Sequence, residues 1–166
     1  MTFHTAHRLA GLALVAALAC GGAANAQLVT HKDLTLAMAI TMATTAIETC
    51  KSQGYNVSAH VIGRNGEVIL GLRGDGTNPT TLENSMKKAY TARTFRRPSG
   101  EFAKGVEGNP TAGALFLTNI VPAQGALPIN VGGDTIGAIG VSGAPGGDKD
   151  EACAKAGLDK VSADLK

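Results

Sequence analysis

What this chain lacks narrows its chemistry before any residue is given a role. It has three cysteines in 166 residues, with no CxxC pair and no Cys/His cluster, which removes thioredoxin-like redox chemistry and a structural zinc site. Its glycines do not fall into GxGxxG, so a dinucleotide-binding turn has no support. Ser58 and Ser142 lack a GxSxG context, and no Ser/His/Asp order emerges. Glu101 and Glu107, the nearest thing to an acid/base pair, fall on a glycine-interrupted segment and read as solvated charge. There is no internal repeat. The apolar run Leu9–Ala19 is too short to span a bilayer.

That run has a different meaning. Arg8, the apolar stretch, and Ala24-Asn25-Ala26 before Gln27 form the sequence of a secretory signal. Lipoprotein processing at Cys20 is the competing reading, with Ala17 where leucine is usual. Cleavage after Ala26 leaves residues 27–166 as a single domain, periplasmic or secreted, with no membrane span. Arg8 is the one charged residue lost, so 14 basic side chains face 13 acidic ones in the remainder. Such a balance gives no purchase on a polyanion, because nucleic-acid binding needs concentrated positive charge. The densest basic stretch, Lys87-Lys88 to Arg96-Arg97, reads as a solvated helix face and loop. Cys50 and Cys153 remain, and an oxidising compartment permits them to pair. A closed loop of about 100 residues would then stabilise the fold by at most ~4–5 kcal/mol.

Along the chain, Leu36, Ile40, Ala43, Ile47 and Cys50 recur at steps of three and four, predicting a helix over 33–53 with Asp33 or Thr35 as cap and Gly54 just beyond its end. Two β-branched runs, 56–62 and 67–72, meet through Arg64-Asn65-Gly66, a strong hairpin signal. The apolar mixture in the second run predicts partial cover on both faces. Thr80 or Thr81 opens a second helix, with Leu82, Met86 and Ala89 on one side, which stops before Pro98. Residues 99–117 read as a short helix plus loop. A second hairpin follows, 127–131 and 135–141, around Gly132-Gly133-Asp134. The last helix spans 148–165, with Ala154, Leu158, Val161 and Leu165 inward. Paired strands between helices exclude a doubly wound parallel sheet and predict one antiparallel sheet with helices on its faces.

Gly137, Gly140 and Gly143 stand three apart in an otherwise Ile/Val/Ala-rich run, which predicts close backbone approach. The loop from Gly143 to Asp148 leads into a helix, where unpaired amides attract anions. Asp148, Asp150 and Glu151 already occupy that end and would repel a phosphate, so the loop reads as structural capping. Two histidines lie beyond the signal: His31 before the first helix and His60 within the first strand.

Four stretches, LTLAMAITMATTAIE (34–48), KKAYTARTFRRPSGEF (87–102), GALPI (125–129) and IGAIGVSGAPGGDKDEACAKAGL (136–158), resemble the GlcG/HbpS-like haem-binding proteins. The resemblance covers Leu34 to Leu158, and its last stretch is the most specific. It implies an α/β, profilin-like three-layer domain with a central antiparallel sheet of about five strands flanked by helices. It also implies haem or a related tetrapyrrole as ligand, a homo-oligomer, and a sensor or transport partner. His31 or His60 would then bind the iron, with Tyr55 and Tyr90 as weaker oxygen candidates. Lys88, Arg93, Arg96 or Arg97 would pair with the propionates, and Phe95 would touch the ring. The expected function is an exported protein that sequesters, carries or senses haem; an oxidative haem-degrading enzyme and a non-catalytic regulatory module are the alternatives. Cys50 and Cys153, beside the inner faces of the first and last helices, are expected to form a disulfide.

Overall fold

The first helix starts where the sequence places a hydroxyl ahead of an apolar run. Thr35 accepts a hydrogen bond from the Met38 amide at 3.2 Å and caps α1, Leu36–Ser52. This is read from a computed structural model that describes residues 27–166; the signal sequence, with its alternative ends at Cys20 and Ala26, lies outside the described residues. Residues 27–31 belong to a separate unit and are exposed without regular secondary structure.

The period of α1 is as expected, but its face is not. Ala39, Met42, Ala43, Ala46 and Cys50 turn inward, whereas Leu36 and Ile40 are 55% and 45% exposed. Small side chains on the inner face explain the rotation. They let α1 approach α4 (Gly147–Val161) so closely that a Cβ on Gly157 would stand 2.3 Å from the Met42 carbonyl oxygen. The larger Leu36 and Ile40 are left on the flank.

Both hairpins form. Strands β1 (Ser58–Ile62), β2 (Val68–Arg73), β3 (Ala126–Val131) and β4 (Asp134–Ser142) make one antiparallel sheet in the order β2-β1-β4-β3. The resemblance implied about five strands; the sheet among the described residues has four. The segment between α2 (Thr81–Phe95) and β3 supplies α3 (Ser99–Val106) and a 3-10 turn at Gly113–Phe116 instead. Its glycines and prolines interrupt the alternation that a fifth strand would need.

Helices α1 and α4 cover one face over the larger core, which includes Met42, Val61, Ile139 and Val141. Cys50 and Cys153 are fully buried there and are joined by a disulfide with Cα atoms 5.6 Å apart. Helix α2 covers the other face with a smaller cluster, Ile62, Ala89, Ala92, Ala126 and Ala138. It rests almost directly on β4: a Cβ on Gly140 would stand 2.3 Å from the Ser85 carbonyl oxygen. The threefold glycine spacing is therefore a packing device, as expected. No helix among the described residues is long and apolar enough to cross a membrane.

Candidate functional site

Under the first half of α2 the contact layer is polar. Ser58 meets Thr81 at 2.8 Å, Asn84 meets Ser142 at 3.0 Å, and between them His60 Nδ1 meets Ser85 Oγ at 2.9 Å. Ser85 Oγ also donates to the Leu82 carbonyl oxygen at 2.9 Å. A hydroxyl has one proton to give, so with that proton on Leu82 the oxygen accepts from His60 Nδ1–H. The imidazole is thereby held in one tautomer, and its Nε2 carries the lone pair. Among the described residues Nε2 makes no hydrogen bond.

Strand register places His60 across from Gly71 on β2 and Gly140 on β4. The ring lies against Gly71, where a Cβ would come within 2.4 Å of Nε2. Any side chain there would displace the imidazole. Burial pushes the His60 pKa below the ordinary histidine value, which keeps the ring neutral and basic at Nε2 near pH 7. Because the folded-state pKa is depressed, this contribution to stability is present above the ordinary value and is lost as pH falls through the folded one.

Contacts on either flank of α2 fix its orientation. On one side Asn84 reaches Ser142, Lys88 reaches the Val141 carbonyl oxygen at 3.2 Å, and the Thr91 hydroxyl accepts from the Val121 amide at 3.0 Å. Helical spacing puts Leu82, Met86, Tyr90 and Arg93 on the opposite side. The Tyr90 ring packs against Gly66 in the β1–β2 turn, so this flank overlooks β2. The three residues that β2 turns toward α2, namely Val68, Gly71 and Arg73, are all exposed. Helix flank and edge strand form an open groove, with His60 at its base and Tyr90 and Arg93 toward one end.

That end is cationic. Arg64, in the turn, donates to Asp134 and Asp33 and to the Lys32 carbonyl oxygen. Arg93 is desolvated and lies in the field of Arg96 and Arg64, which together lower its pKa against the opposing pull of Asp134 and Glu67. Its Nε is buried and has no hydrogen-bond partner among the described residues, a costly state for a charged donor.

The structure sorts the candidate residues. His60, Tyr90 and Arg93 lie on the α2–β2 side, and Arg96, at the cap of α2, adds its charge at the Arg93 end. Lys88, expected to meet a ligand carboxylate, meets one of the protein's own: its Nζ lies 2.7 Å from Asp150 Oδ2, and both side chains are 4% exposed. Asp150 Oδ1 accepts from the Ala144 amide at 2.9 Å, so this carboxylate also secures the loop before α4, in keeping with a structural role for that loop. Phe95 stacks on Phe102 with ring centroids 4.3 Å apart, and Arg97 lies 5.9 Å from the Phe102 centroid. Both residues close α2 onto α3 and leave the groove. His31 lies in the exposed stretch 27–31. Tyr55 lines a cavity of about 260 Å³ with Ile47, Lys51, Val57, Leu72 and Arg73. This cavity is on the α1 side of the sheet, away from His60, and falls below the ~300–1,000 Å³ usual for ligand pockets.

Sequence reasoning missed Ser85, Gly71 and Arg64. An isolated glycine inside a strand pattern is a detectable sign of close approach; nothing in the sequence marks Ser85 as the partner of His60. Among the described residues no three His, Cys, Asp or Glu side chains converge as a metal site.

Residues 34–159 match the family described as haem degrading protein HbpS-like. The chain is 37% identical over 115 residues to an uncharacterised 15.0 kDa protein from the dhaT-dhaS intergenic region of Citrobacter freundii, covering 66% of this chain and 80% of that protein. HbpS of Streptomyces reticuli, solved as a double mutant, superposes with a TM-score of 0.75 at 36% identity over 80% of this chain and 89% of its own. A PduOC haem complex superposes with a TM-score of 0.70 over 76% of this chain and 94% of its own. At 20% identity this last is a likeness of fold alone.

Proposed function

Since the chain belongs to the haem degrading protein HbpS-like family, we propose that it binds haem in the groove between α2 and β2, with His60 Nε2 as iron ligand. The observation that carries this reading is an imidazole whose Nδ1 lies 2.9 Å from Ser85 Oγ, while Nε2 makes no hydrogen bond among the described residues at the base of the groove. A metal-binding histidine has this form, with the second nitrogen fixing tautomer and ring orientation. The orphaned Nε of Arg93 adds a second fit: with Arg96 it offers charge-assisted hydrogen bonds to propionate carboxylates. Leu82, Met86 and Tyr90 supply the wall. Gly71 leaves the space in which the imidazole lies.

Bound haem supplies the iron and its redox chemistry; the protein contributes the ligand, the orientation and the surrounding field. His31, in the stretch before α1, is the other candidate ligand. On this reading residues 1–26 direct export, and the mature protein sequesters, carries or senses haem in the periplasm or outside the cell. The family's description, haem degrading, favours degradation as a second reading.

Titration of the purified protein with ferric haem is expected to give a saturable Soret shift, and a spectrum that only scales with added haem would overturn the proposal. Adding a reductant and oxygen to the complex separates the two readings. A binding protein keeps its haem spectrum over many minutes, whereas an enzyme consumes it and yields an open-ring product.

A further inference from the structure

The cavity beside Tyr55 is walled by segments that meet at one end of the sheet. Ile47 and Lys51 come from the last turns of α1, Val57 from the link into β1, and Leu72 and Asp75 from the end of β2. Both connecting turns are held by their own hydrogen bonds. After α1, the Gly54 amide donates to the Lys51 carbonyl oxygen at 2.9 Å and the Tyr55 amide to the Cys50 carbonyl oxygen at 3.0 Å. After β2, Arg73 donates to the Thr77 carbonyl oxygen at 2.7 Å, and the Thr77 hydroxyl to the Gly74 carbonyl oxygen at 3.0 Å. The Gly74 amide joins the two turns by donating to the Val57 carbonyl oxygen at 3.2 Å. The walls are thus fixed in advance, as those of small-molecule sites usually are.

The floor is apolar and the rim carries both signs of charge. Ile47 and Leu72 are half-buried and pack with Val57, which is fully covered. Lys51 and Asp75 are exposed on different walls. They line one cavity but form no salt bridge with each other, and neither has an ion pair among the described residues. Arg73, the other cation of the lining, is engaged with the Thr77 carbonyl oxygen. Opposite charges held apart above an apolar floor match a molecule that carries both charges and a short apolar group. A simple apolar carboxylate would leave Asp75 unmet and repelling it, and an apolar amine would meet the same difficulty at Lys51. In an α-amino acid the ammonium, the carboxylate and the side chain leave one carbon in three directions, so all three can be met at once. At about 260 Å³ the cavity lies below the ~300–1,000 Å³ that drug-sized ligands occupy, so its occupant is a smaller molecule.

We propose that this cavity binds a small apolar α-amino acid, with its carboxylate at Lys51, its ammonium at Asp75 and its side chain on Ile47, Val57 and Leu72. Charge-assisted hydrogen bonds at the rim orient the ligand, and the apolar floor selects its side chain. The Lys149 ammonium, 5.9 Å from the Tyr55 ring centroid, adds positive charge on the Tyr55 side. The cavity lies on the α1 side of the sheet, away from His60, so this site and the haem groove stand or fall separately.

Leucine, isocaproate and isoamylamine share one branched chain and differ in the charges they carry. Each is titrated, without haem, into isotope-labelled protein expressed with its own leader, and the amide resonances are followed. Leucine is expected to give saturable shifts at Val57, Leu72 and Gly74 and none at His60 or Gly71, and to bind at least roughly threefold more tightly than either analogue. Asp75→Asn should erase the preference for leucine over isocaproate and keep that over isoamylamine; Lys51→Met should do the reverse. Both side chains are exposed, so both variants should keep the wild-type circular dichroism spectrum. No saturable shift at the cavity, an analogue that binds as tightly as leucine, or variants that leave both preferences unchanged would each overturn the proposal.

Discussion

Replacing Lys88 with methionine is expected to cost about 3–5 kcal/mol of folding stability near neutral pH, because it leaves Asp150 as a buried charge without its partner. The pair spans the sheet end, with Lys88 on α2 and Asp150 on α4, and neither side chain is more than 4% exposed. Burial pushes the Asp150 carboxyl above the ordinary aspartate value, against the pull of Lys88 and the Ala144 amide. Removing Lys88 removes the larger part of that pull, and the carboxyl rises further. Between the ordinary value and this higher one, the folded state keeps a proton that the unfolded state has lost, so stability declines as pH rises. Below the ordinary value Asp150 is neutral in both states, and the deficit shrinks to lost hydrogen bonds and packing. Urea unfolding at pH 8 and about pH 3, below the ordinary aspartate value, measures both parts. A deficit under about 1 kcal/mol at pH 8, or one equal at pH 8 and about pH 3, would contradict the assignment. Lys88→Met combined with Asp150→Leu should recover much of the loss, since an apolar pair avoids the desolvation cost.

Breaking the Cys50–Cys153 bridge is expected to cost about 2–5 kcal/mol. The two residues are 103 positions apart and tie α1 to α4 inside the larger core. Closing so long a loop restricts the unfolded chain strongly on the entropic account, and a Cys50→Ala/Cys153→Ala variant also loses buried volume. The variant's urea midpoint should fall well below that of the oxidised wild type. Thiol labelling of unreduced, denatured wild type should find almost no free thiol. Equal midpoints, or two labelled cysteines, would contradict the bridge.

Local signals proved legible where one residue type dictates one geometry. Asn65-Gly66 and Gly132-Gly133 announced both hairpins, and the glycine run from Gly137 announced close backbone approach, though not that α2 would be the neighbour at Gly140. The period of α1 was readable too, but its buried face was not. Leu36 and Ile40 outrank alanine on any hydrophobic scale, yet the approach of α4 at Met42 decides which side is buried, and that contact comes from the far end of the chain. The same limit applies at the site. Lys88 looked available as part of a basic segment because Asp150 is 62 positions away. Phe95 looked like a ring contact because nothing nearby announces its stack on Phe102. His60 was identifiable as a candidate, while its fitness as a ligand depends on Ser85 and Gly71, which only the folded geometry brings to it.

We propose that haem iron is held by one imidazole, positioned by Ser85 over Gly71. This is tested most directly by ferric-haem titrations of His60→Ala and His31→Ala beside the wild type, with folding of each variant checked by circular dichroism. His31→Ala should retain the saturable Soret shift, and His60→Ala should lose it or bind at least roughly tenfold more weakly. A His60→Ala protein that titrates like the wild type would contradict the account.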